Sequence, residues 1–86
     1  MINFKNKSVV ITGGTKGIGT EISKTFLRHD AKVFILARQK PKRPIQAKGN
    51  KAIYIECDIR NIDSLDAAVN KVKKVSKSIN VLINNA

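Results

Sequence analysis

The feature that most constrains the fold is a glycine-rich segment that joins an apolar run to a helical pattern. The run Ser8–Thr12 (SVVIT) is rich in β-branched residues and predicts a buried strand. Gly13, Gly17 and Gly19 follow it, and a helical pattern begins at the second of them. Glycine lets the backbone turn sharply and approach a ligand closely, because it lacks a Cβ atom. We predict a phosphate site at the N-terminus of the helix, and a tight turn without a ligand is the alternative.

Two stretches have the periodicity of amphipathic helices. The first is predicted from Gly17 to about His29. Its apolar face is formed by Ile18, Ile22 and Phe26, which recur every four residues. The second helix is predicted from Ile62 to about Ser76, with acidic residues at its start and lysines at its end, as the helix dipole favours. Its apolar stripe is predicted to comprise Leu65, Ala68, Val69, Val72 and Val75.

Three further apolar runs complete a regular alternation of strands and helices. They predict strands at Lys32–Ala37, Ala52–Glu56 and Asn80–Asn84. An alternation of this kind indicates an α/β fold with a parallel sheet and right-handed crossovers, which gives the strand order 3-2-1-4. The fourth strand would then be an exposed apolar edge. We therefore expect self-association, including a homo-oligomer formed through this edge.

The net charge of +11 favours polyanionic partners such as nucleic acid, a membrane surface or a phosphate-rich cofactor. Few aromatic residues and the lack of a basic helix face argue against nucleic acid. No apolar stretch approaches the length of a membrane span, and the N-terminus lacks the apolar core of a signal peptide. Cys57 cannot form an internal disulfide, which fits a reducing compartment. We predict a cytoplasmic protein with no membrane association and no metal site.

Four short motifs resemble the classical short-chain dehydrogenases/reductases. Thr12–Gly19 (TGGTKGIG) is similar to the cofactor turn of that family, and "LAR" ends the second strand as it does there. Cys57–Ile59 (CDI) is similar to the acidic-apolar pair after the third strand, and Asn84–Ala86 (NNA) to the start of the N-N-A-G motif after the fourth. The resemblance implies a Rossmann-like, three-layer fold truncated after the fourth strand. It makes residues 1–86 the N-terminal part of an NADP(H)-binding domain.

The resemblance also implies which residues contact the cofactor. Thr15 and the backbone at Ile18 should contact the diphosphate, while Asp58 should bond the adenine amino group. Asn84 either lines the adenosine ribose with its neighbours or ties the fourth strand to the adjacent one, and the two roles are equally favoured. The complete implied set is Gly13, Gly14, Thr15, Lys16, Gly17, Ile18, Gly19, Arg38, Asp58, Ile59, Asn84, Asn85 and Ala86.

The residues after the second strand favour NADP(H) over NAD(H). An acidic residue there would accept hydrogen bonds from the ribose hydroxyls of NAD, but this chain has Ala37 and Arg38. A guanidinium binds a phosphate through two parallel hydrogen bonds. Lys16 matches the family position from which a basic side chain reaches the same 2′-phosphate. The alternative is that both are ordinary surface cations.

The segment Arg38–Lys51 departs from the family, many members of which have a helix between the second and third strands. Pro41 and Pro44 disfavour a helix there, because proline lacks an N–H donor and restricts the residue before it. We favour a mobile, solvated loop over an additional attraction for the 2′-phosphate. The basic residues concerned are Lys40, Lys42, Arg43, Lys48 and Lys51.

The catalytic residues of the family have no counterpart in this sequence. Family chemistry transfers a hydride between NADPH and a carbonyl or alcohol carbon, and it uses a serine and a Tyr-x-x-x-Lys motif. Tyr54 has no lysine four residues later, so no catalytic residue is assigned. We predict an NADP(H)-binding fragment of an oxidoreductase that acts on a 3-oxoacyl, sugar or small ketone substrate once the chain is completed. The alternatives are a non-catalytic nucleotide-binding remnant and, less favoured, a basic nucleic-acid-binding protein.

Overall fold

The computed structural model describes residues 3–85 and contains one parallel sheet of four strands with the order β5-β2-β1-β6. The sequence-predicted order 3-2-1-4 is therefore confirmed. In chain order the elements are β1 (Ser8–Thr12), α1 (Gly17–Arg28), β2 (Lys32–Ala37), β3 (Gln46–Ala47), β4 (Asn50–Lys51), β5 (Ile53–Glu56), α2 (Ile62–Val75) and β6 (Val81–Asn84).

The two helices cover opposite faces of the sheet, which confirms the three-layer arrangement. Alternate residues of β1 and β2 point to opposite faces, so both strands are buried on both sides. The core on the α1 side is formed by Val9, Ile11, Leu27, Ala31, Val33, Ile35 and Ile45. The core on the α2 side is formed by Val10, Phe34, Leu36, Ile55, Cys57, Ala68 and Val72.

Two residues of the predicted apolar stripes are exposed to solvent. Ile18 is 74% exposed and Val75 is 51% exposed, so the apolar stripes extend beyond the buried part of each helix. Ile18 is in the first turn of α1, and Val75 is the last residue of α2. Helical periodicity indicates which face a residue is on, but it does not tell whether that end of the helix still lies over the sheet. The exposed Ile18 side chain stands beside the glycine-rich turn.

The segment between β2 and β5 contains a short antiparallel hairpin rather than an entirely irregular loop. Gln46 pairs with Lys51, and Ala47 pairs with Asn50. The two loop residues between them, Lys48 and Gly49, have φ angles of 52° and 77°. Positive φ at both positions is the property of the type I′ turn, whose twist matches that of the flanking strands. The predicted absence of a helix in this segment is confirmed.

Asn50 anchors the hairpin to the end of α1. Its side-chain amide donates to the Leu27 carbonyl oxygen at 2.8 Å and lies 3.3 Å from an Asp30 carboxylate oxygen. The Lys48 ammonium lies 3.9 Å from the same carboxylate. The Leu27 carbonyl oxygen also accepts from the Asp30 N–H at 3.1 Å, so the Asn50 bond is a second donor to a carbonyl at the end of the helix.

We expect Asn50→Ala to lower the free energy of unfolding by about 1 kcal/mol, because a net hydrogen bond to a helix end is lost. Urea unfolding followed by circular dichroism would measure the change. Gln46→Ala, in the exposed part of the same hairpin, is the matched control and should change stability by less than about half of that. Equal effects of the two substitutions would contradict the anchoring role.

The β6 strand pairs only with β1 among the described residues, so its outer edge is open. Leu82 is 67% exposed on the face of the sheet that α2 covers elsewhere. The self-association expected from this edge stays a prediction. Within residues 3–85, neither helix has the length and apolar character needed to cross a bilayer.

Candidate functional site

The glycine-rich turn packs tightly between the ends of β1 and β2. Gly13 has a φ of 69°, and its N–H donates to the Leu36 carbonyl oxygen at 2.9 Å. A Cβ atom on Gly14 would lie 3.1 Å from Ile35 and 3.2 Å from Ile11. The turn therefore lies directly on the sheet, and small residues are required on the side that faces the core.

Gly19 has no room for a side chain of any size. A Cβ atom there would lie 2.6 Å from the Gly13 carbonyl oxygen and 2.8 Å from Gly14 Cα. Gly17 differs, because its φ of 53° favours glycine while nothing lies within 4 Å of a Cβ atom built on it. The inner side of the turn is thus filled by the protein backbone and by the Asn85 side chain, whose Nδ2 atom would lie 2.5 Å from a Cβ atom on Gly19, and the outer side is open.

The N-terminus of α1 lacks the polar partners that a helix start usually has. Lys16 occupies the N-cap position, no side chain there accepts a hydrogen bond, and the first turn contains no acidic residue. By contrast, α2 begins with Asn61, whose side-chain oxygen accepts from the Ser64 N–H at 2.9 Å, and Asp63 follows in its first turn. The first-turn amides of α1 and its positive dipole end are therefore available to an anion.

The end of β6 is tied to the end of β1 by a small polar network. The Thr12 hydroxyl donates to Asn84 Oδ1 at 3.1 Å and accepts from the Asn85 N–H at 3.1 Å. Asn85 Nδ2 also donates to the Gly13 carbonyl oxygen at 3.2 Å. The structure thus shows the tie predicted as one role of Asn84, and a contact with a ligand stays a prediction. Ala86 lies outside the described residues.

A depression of about 810 Å³ brings the turns after β1, β2 and β5 together. The carboxyl ends of parallel strands meet at this edge of the sheet, which is where α/β proteins bind ligands. The sequence-predicted residues Gly13, Thr15, Lys16, Arg38, Asp58 and Ile59 all line it. Gln39 and Arg60 also line it and were not predicted.

Arg60 forms an ion pair with Asp58 at the rim of this depression. Its Nε atom lies 3.1 Å from Asp58 Oδ1 and its Nη2 atom 3.2 Å from Oδ2, while its backbone N–H donates to Oδ1 at 3.0 Å. The side-chain hydrogen bond from Arg60, followed by the backbone one, lowers the pKa of Asp58 below its usual 3.8. The two acceptor oxygens thus stay ionised and fixed beside the pocket.

We expect the Asp58 carboxyl to titrate below 3.8 in the folded protein. Because folding lowers the pKa of Asp58, its ion pair stabilises the folded state at pH values above the pKa of the unfolded chain. This stabilisation is lost as the pH falls through the pKa of the folded state. In Arg60→Gln the midpoint should rise toward 3.8, since the side-chain bonds are lost. Carboxyl chemical shifts followed by NMR during an acid titration would measure both midpoints. Identical midpoints in the two proteins would contradict the pairing.

The residues that the sequence analysis did not assign to the site have structural contacts. Cys57 is buried in the α2-side core. The Tyr54 hydroxyl donates to the Ala37 carbonyl oxygen at 2.9 Å, and burial raises the pKa of this phenol. His29 is the C-cap residue of α1 and lies against the Phe4 ring. Residues 3–85 hold no group of three or more His, Cys, Asp and Glu side chains that could bind a metal.

Comparison with protein families places this arrangement among known proteins. Residues 7–86 match the model of the short chain dehydrogenase family. The ketoacyl reductase HetN of Nostoc is 33% identical over 91 residues, which cover all of this chain and 32% of HetN. The oxidoreductase UcpA of Salmonella typhimurium is 32% identical, over all of this chain and 34% of UcpA. The chain thus spans about a third of the length of these relatives.

Solved structures show the same fold. Ligand-free aldohexose dehydrogenase of Thermoplasma acidophilum superposes with a TM-score of 0.84 and 35% identity, over 96% of this chain and 30% of that one. A short chain dehydrogenase of Leptospira borgpetersenii with bound NAD+ has a TM-score of 0.80 and 30% identity, over 95% of this chain and 32% of that one. The similarity therefore extends across nearly the whole of this chain but across slightly less than a third of each of those structures.

Proposed function

The chain belongs to the short-chain dehydrogenase family, and from that premise we propose that it binds NADP(H) at the carboxyl end of its sheet. The observation that carries this proposal is the open N-terminus of α1 above a turn without room for side chains at Gly19. A dinucleotide diphosphate would accept hydrogen bonds from the first-turn amides near Ile18, with Thr15 beside it. Because nothing lies within 4 Å of the Cβ position of Gly17, the diphosphate can approach the turn from that side.

The adenosine half would lie in the depression between the turns after β1, β2 and β5. Ile59 would cover one side of the adenine, and Asp58 would accept from its amino group. Arg60 already bonds both oxygens of that carboxylate, but a carboxylate has about four acceptor positions, so further donors can be accommodated. Asn84 and Asn85 stand at the far end of the same edge, which suits contacts toward the nicotinamide.

The preference for NADP(H) rests on the charges around the end of β2. Lys16 and Arg38 are both exposed and line the same depression, with Arg60 as a third cation. Lys16 and Arg38 would together attract the dianionic 2′-phosphate, and the Arg38 guanidinium would add paired hydrogen bonds. Ala37 stands where a carboxylate would select NAD. The Leptospira structure contains bound NAD+, so similarity to it does not favour NADP(H). The proposed preference for NADP(H) depends instead on the side chains of this chain.

We further propose that residues 1–86 act as the cofactor-binding part of a carbonyl reductase or alcohol dehydrogenase. When bound, the cofactor supplies a hydride to a carbonyl carbon or accepts one from an alcohol carbon. This chain positions the cofactor and contains no Tyr-x-x-x-Lys motif of its own. The proposed substrate is a 3-oxoacyl compound, a sugar or a small ketone. This range agrees with the names of two proteins similar to this chain, a ketoacyl reductase and an aldohexose dehydrogenase.

An NMR titration of the isotope-labelled chain with NADPH tests the binding site. We expect shifts of the Gly13–Gly19 amides and of the Asp58–Arg60 amides, with α2 unaffected beyond its first turn. A duplex DNA fragment is the control for simple charge attraction, since such binding is strongly salt-dependent and would not compete with NADPH. Shifts spread over all the lysines, with no effect at the glycine turn, would refute the site.

A further inference from the structure

Arg60 lies where the chain leaves β5 and turns toward α2, and no role was predicted for it from the sequence. It is exposed, and it lines the depression at the carboxyl end of the sheet. Within residues 3–85, the charged residues that line this depression are Lys16, Arg38, Asp58 and Arg60. Asp58 is therefore the single carboxylate among three cations, and Arg60 is the cation that bonds it.

Every polar group of Asp58 is bonded by a neighbour in the same segment. Its N–H donates to Ser64 Oγ at 2.9 Å, and its carbonyl oxygen accepts from the Asn61 N–H at 3.0 Å. Its carboxylate accepts from the Arg60 backbone N–H and, at both oxygens, from the Arg60 guanidinium. Asn61 is the N-cap residue of α2, and Ser64 lies in the first turn of that helix. The Asp58 backbone is thus tied to the start of α2, and its side chain is tied to Arg60.

The guanidinium bonds decide which orientations the Asp58 carboxylate can take. A carboxylate that is bonded by one backbone N–H can still turn about its Cβ–Cγ bond, because terminal torsions of this kind have broad minima. The Arg60 guanidinium bonds both oxygens, and its donors have a fixed planar geometry, so it removes this freedom. Each oxygen keeps an acceptor position for another donor. Asp58 can therefore accept a further hydrogen bond, but it cannot turn toward a donor that lies elsewhere.

We propose that Arg60 is a positioning residue that makes the cofactor site selective for adenine over a 6-oxopurine. This inference rests on the proposed NADP(H) site, in which Asp58 accepts from the adenine amino group. Hypoxanthine has an oxygen in place of that amino group, so a fixed carboxylate would face it without a hydrogen bond. A carboxylate that is free to turn would instead accept from the neighbouring N1–H of hypoxanthine. Selectivity therefore needs Arg60 as well as Asp58.

Calorimetric titrations of the full chain with NADP+ and with nicotinamide hypoxanthine dinucleotide phosphate test this inference. The two molecules differ only in the purine base, so every phosphate contact cancels in the ratio of their affinities. We expect the unmodified chain to bind NADP+ at least about tenfold more tightly, as for one hydrogen bond to a charged group. In Arg60→Gln this ratio should fall below about threefold, because the carboxylate can then turn to either base. A purely structural role of Arg60 would weaken both ligands alike and leave the ratio unchanged.

Lys16→Gln is the matched control for the loss of charge. It removes one positive charge from the same depression, while the Asp58 carboxylate keeps its bonds from Arg60. Both affinities should fall, and their ratio should stay at about tenfold or above. A ratio near one in the unmodified chain, or an unchanged ratio in Arg60→Gln, would overturn the role of Arg60 and leave the proposed cofactor site standing. Failure of the unmodified chain to bind either dinucleotide would refute the cofactor site and the inference together.

Discussion

Gly19→Ala is expected to lower the free energy of unfolding by about 3 kcal/mol and to abolish dinucleotide binding. The added methyl group would lie 2.6 Å from the Gly13 carbonyl oxygen and 2.8 Å from Gly14 Cα. The Asn85 amide nitrogen would lie closer still, at 2.5 Å, and could move aside, but the other two are backbone atoms of the turn itself and could not. The turn must then lift from the sheet, which displaces the amides that would bind the diphosphate. Urea unfolding and calorimetric titration with NADPH would measure the two losses.

Gly17→Ala is the matched control for this prediction. Its Cβ atom would meet nothing within 4 Å, although the φ of 53° disfavours a side chain. The expected cost is about 1 kcal/mol, which is the usual penalty for left-handed backbone at a residue other than glycine. If Gly17→Ala destabilised the chain more than Gly19→Ala, the close packing described for the turn would be wrong.

Arg38→Asp is expected to weaken NADPH binding by about 100-fold, because charge-assisted hydrogen bonds to the 2′-phosphate are replaced by repulsion. NADH lacks this phosphate, so its affinity should stay the same or rise as the new carboxylate accepts from the ribose hydroxyls. Arg38 is exposed and lines the depression, and its replacement should therefore leave the fold unchanged. Competitive titrations of the two cofactors would give the ratio of affinities.

Arg43→Asp changes the net charge by the same amount on the same segment, but Arg43 does not line the depression between the turns after β1, β2 and β5. It should weaken NADPH binding by less than about threefold, through long-range attraction alone. A similar loss in Arg38→Asp and Arg43→Asp would assign the preference to the overall charge of the chain rather than to a phosphate contact.

The sequence was sufficient to predict the sheet, the helices and the position of the glycine turn, because their signals are local. Runs such as Lys32–Ala37 are continuously apolar, and the strand order follows from the alternation of elements. The β3–β4 hairpin was missed because strands of two residues are too short to show a period of two. Gly49, at the second loop position, was a local signal for the turn.

Two features of the site depend on tertiary geometry. Arg60 was not predicted because its contact with Asp58 needs the particular bend of the chain after β5, which spacing alone does not give. Ile18 fits the spacing of the apolar face of α1, yet it is exposed because the first turn of α1 extends past the buried part of that face. The exposed Ile18 lies in the first turn of α1, where it can contact a bound ligand but does not contribute to the core.

We propose that this chain binds NADP(H) in preference to NAD(H) at the carboxyl end of its sheet. Calorimetric titration of the unmodified chain with NADPH and with NADH, in the same buffer and at the same salt concentration, tests it most directly. We predict that NADPH binds at least about tenfold more tightly, as expected for one additional charge-assisted phosphate contact. Equal affinities, tighter binding of NADH, or no binding of either cofactor would contradict the claim.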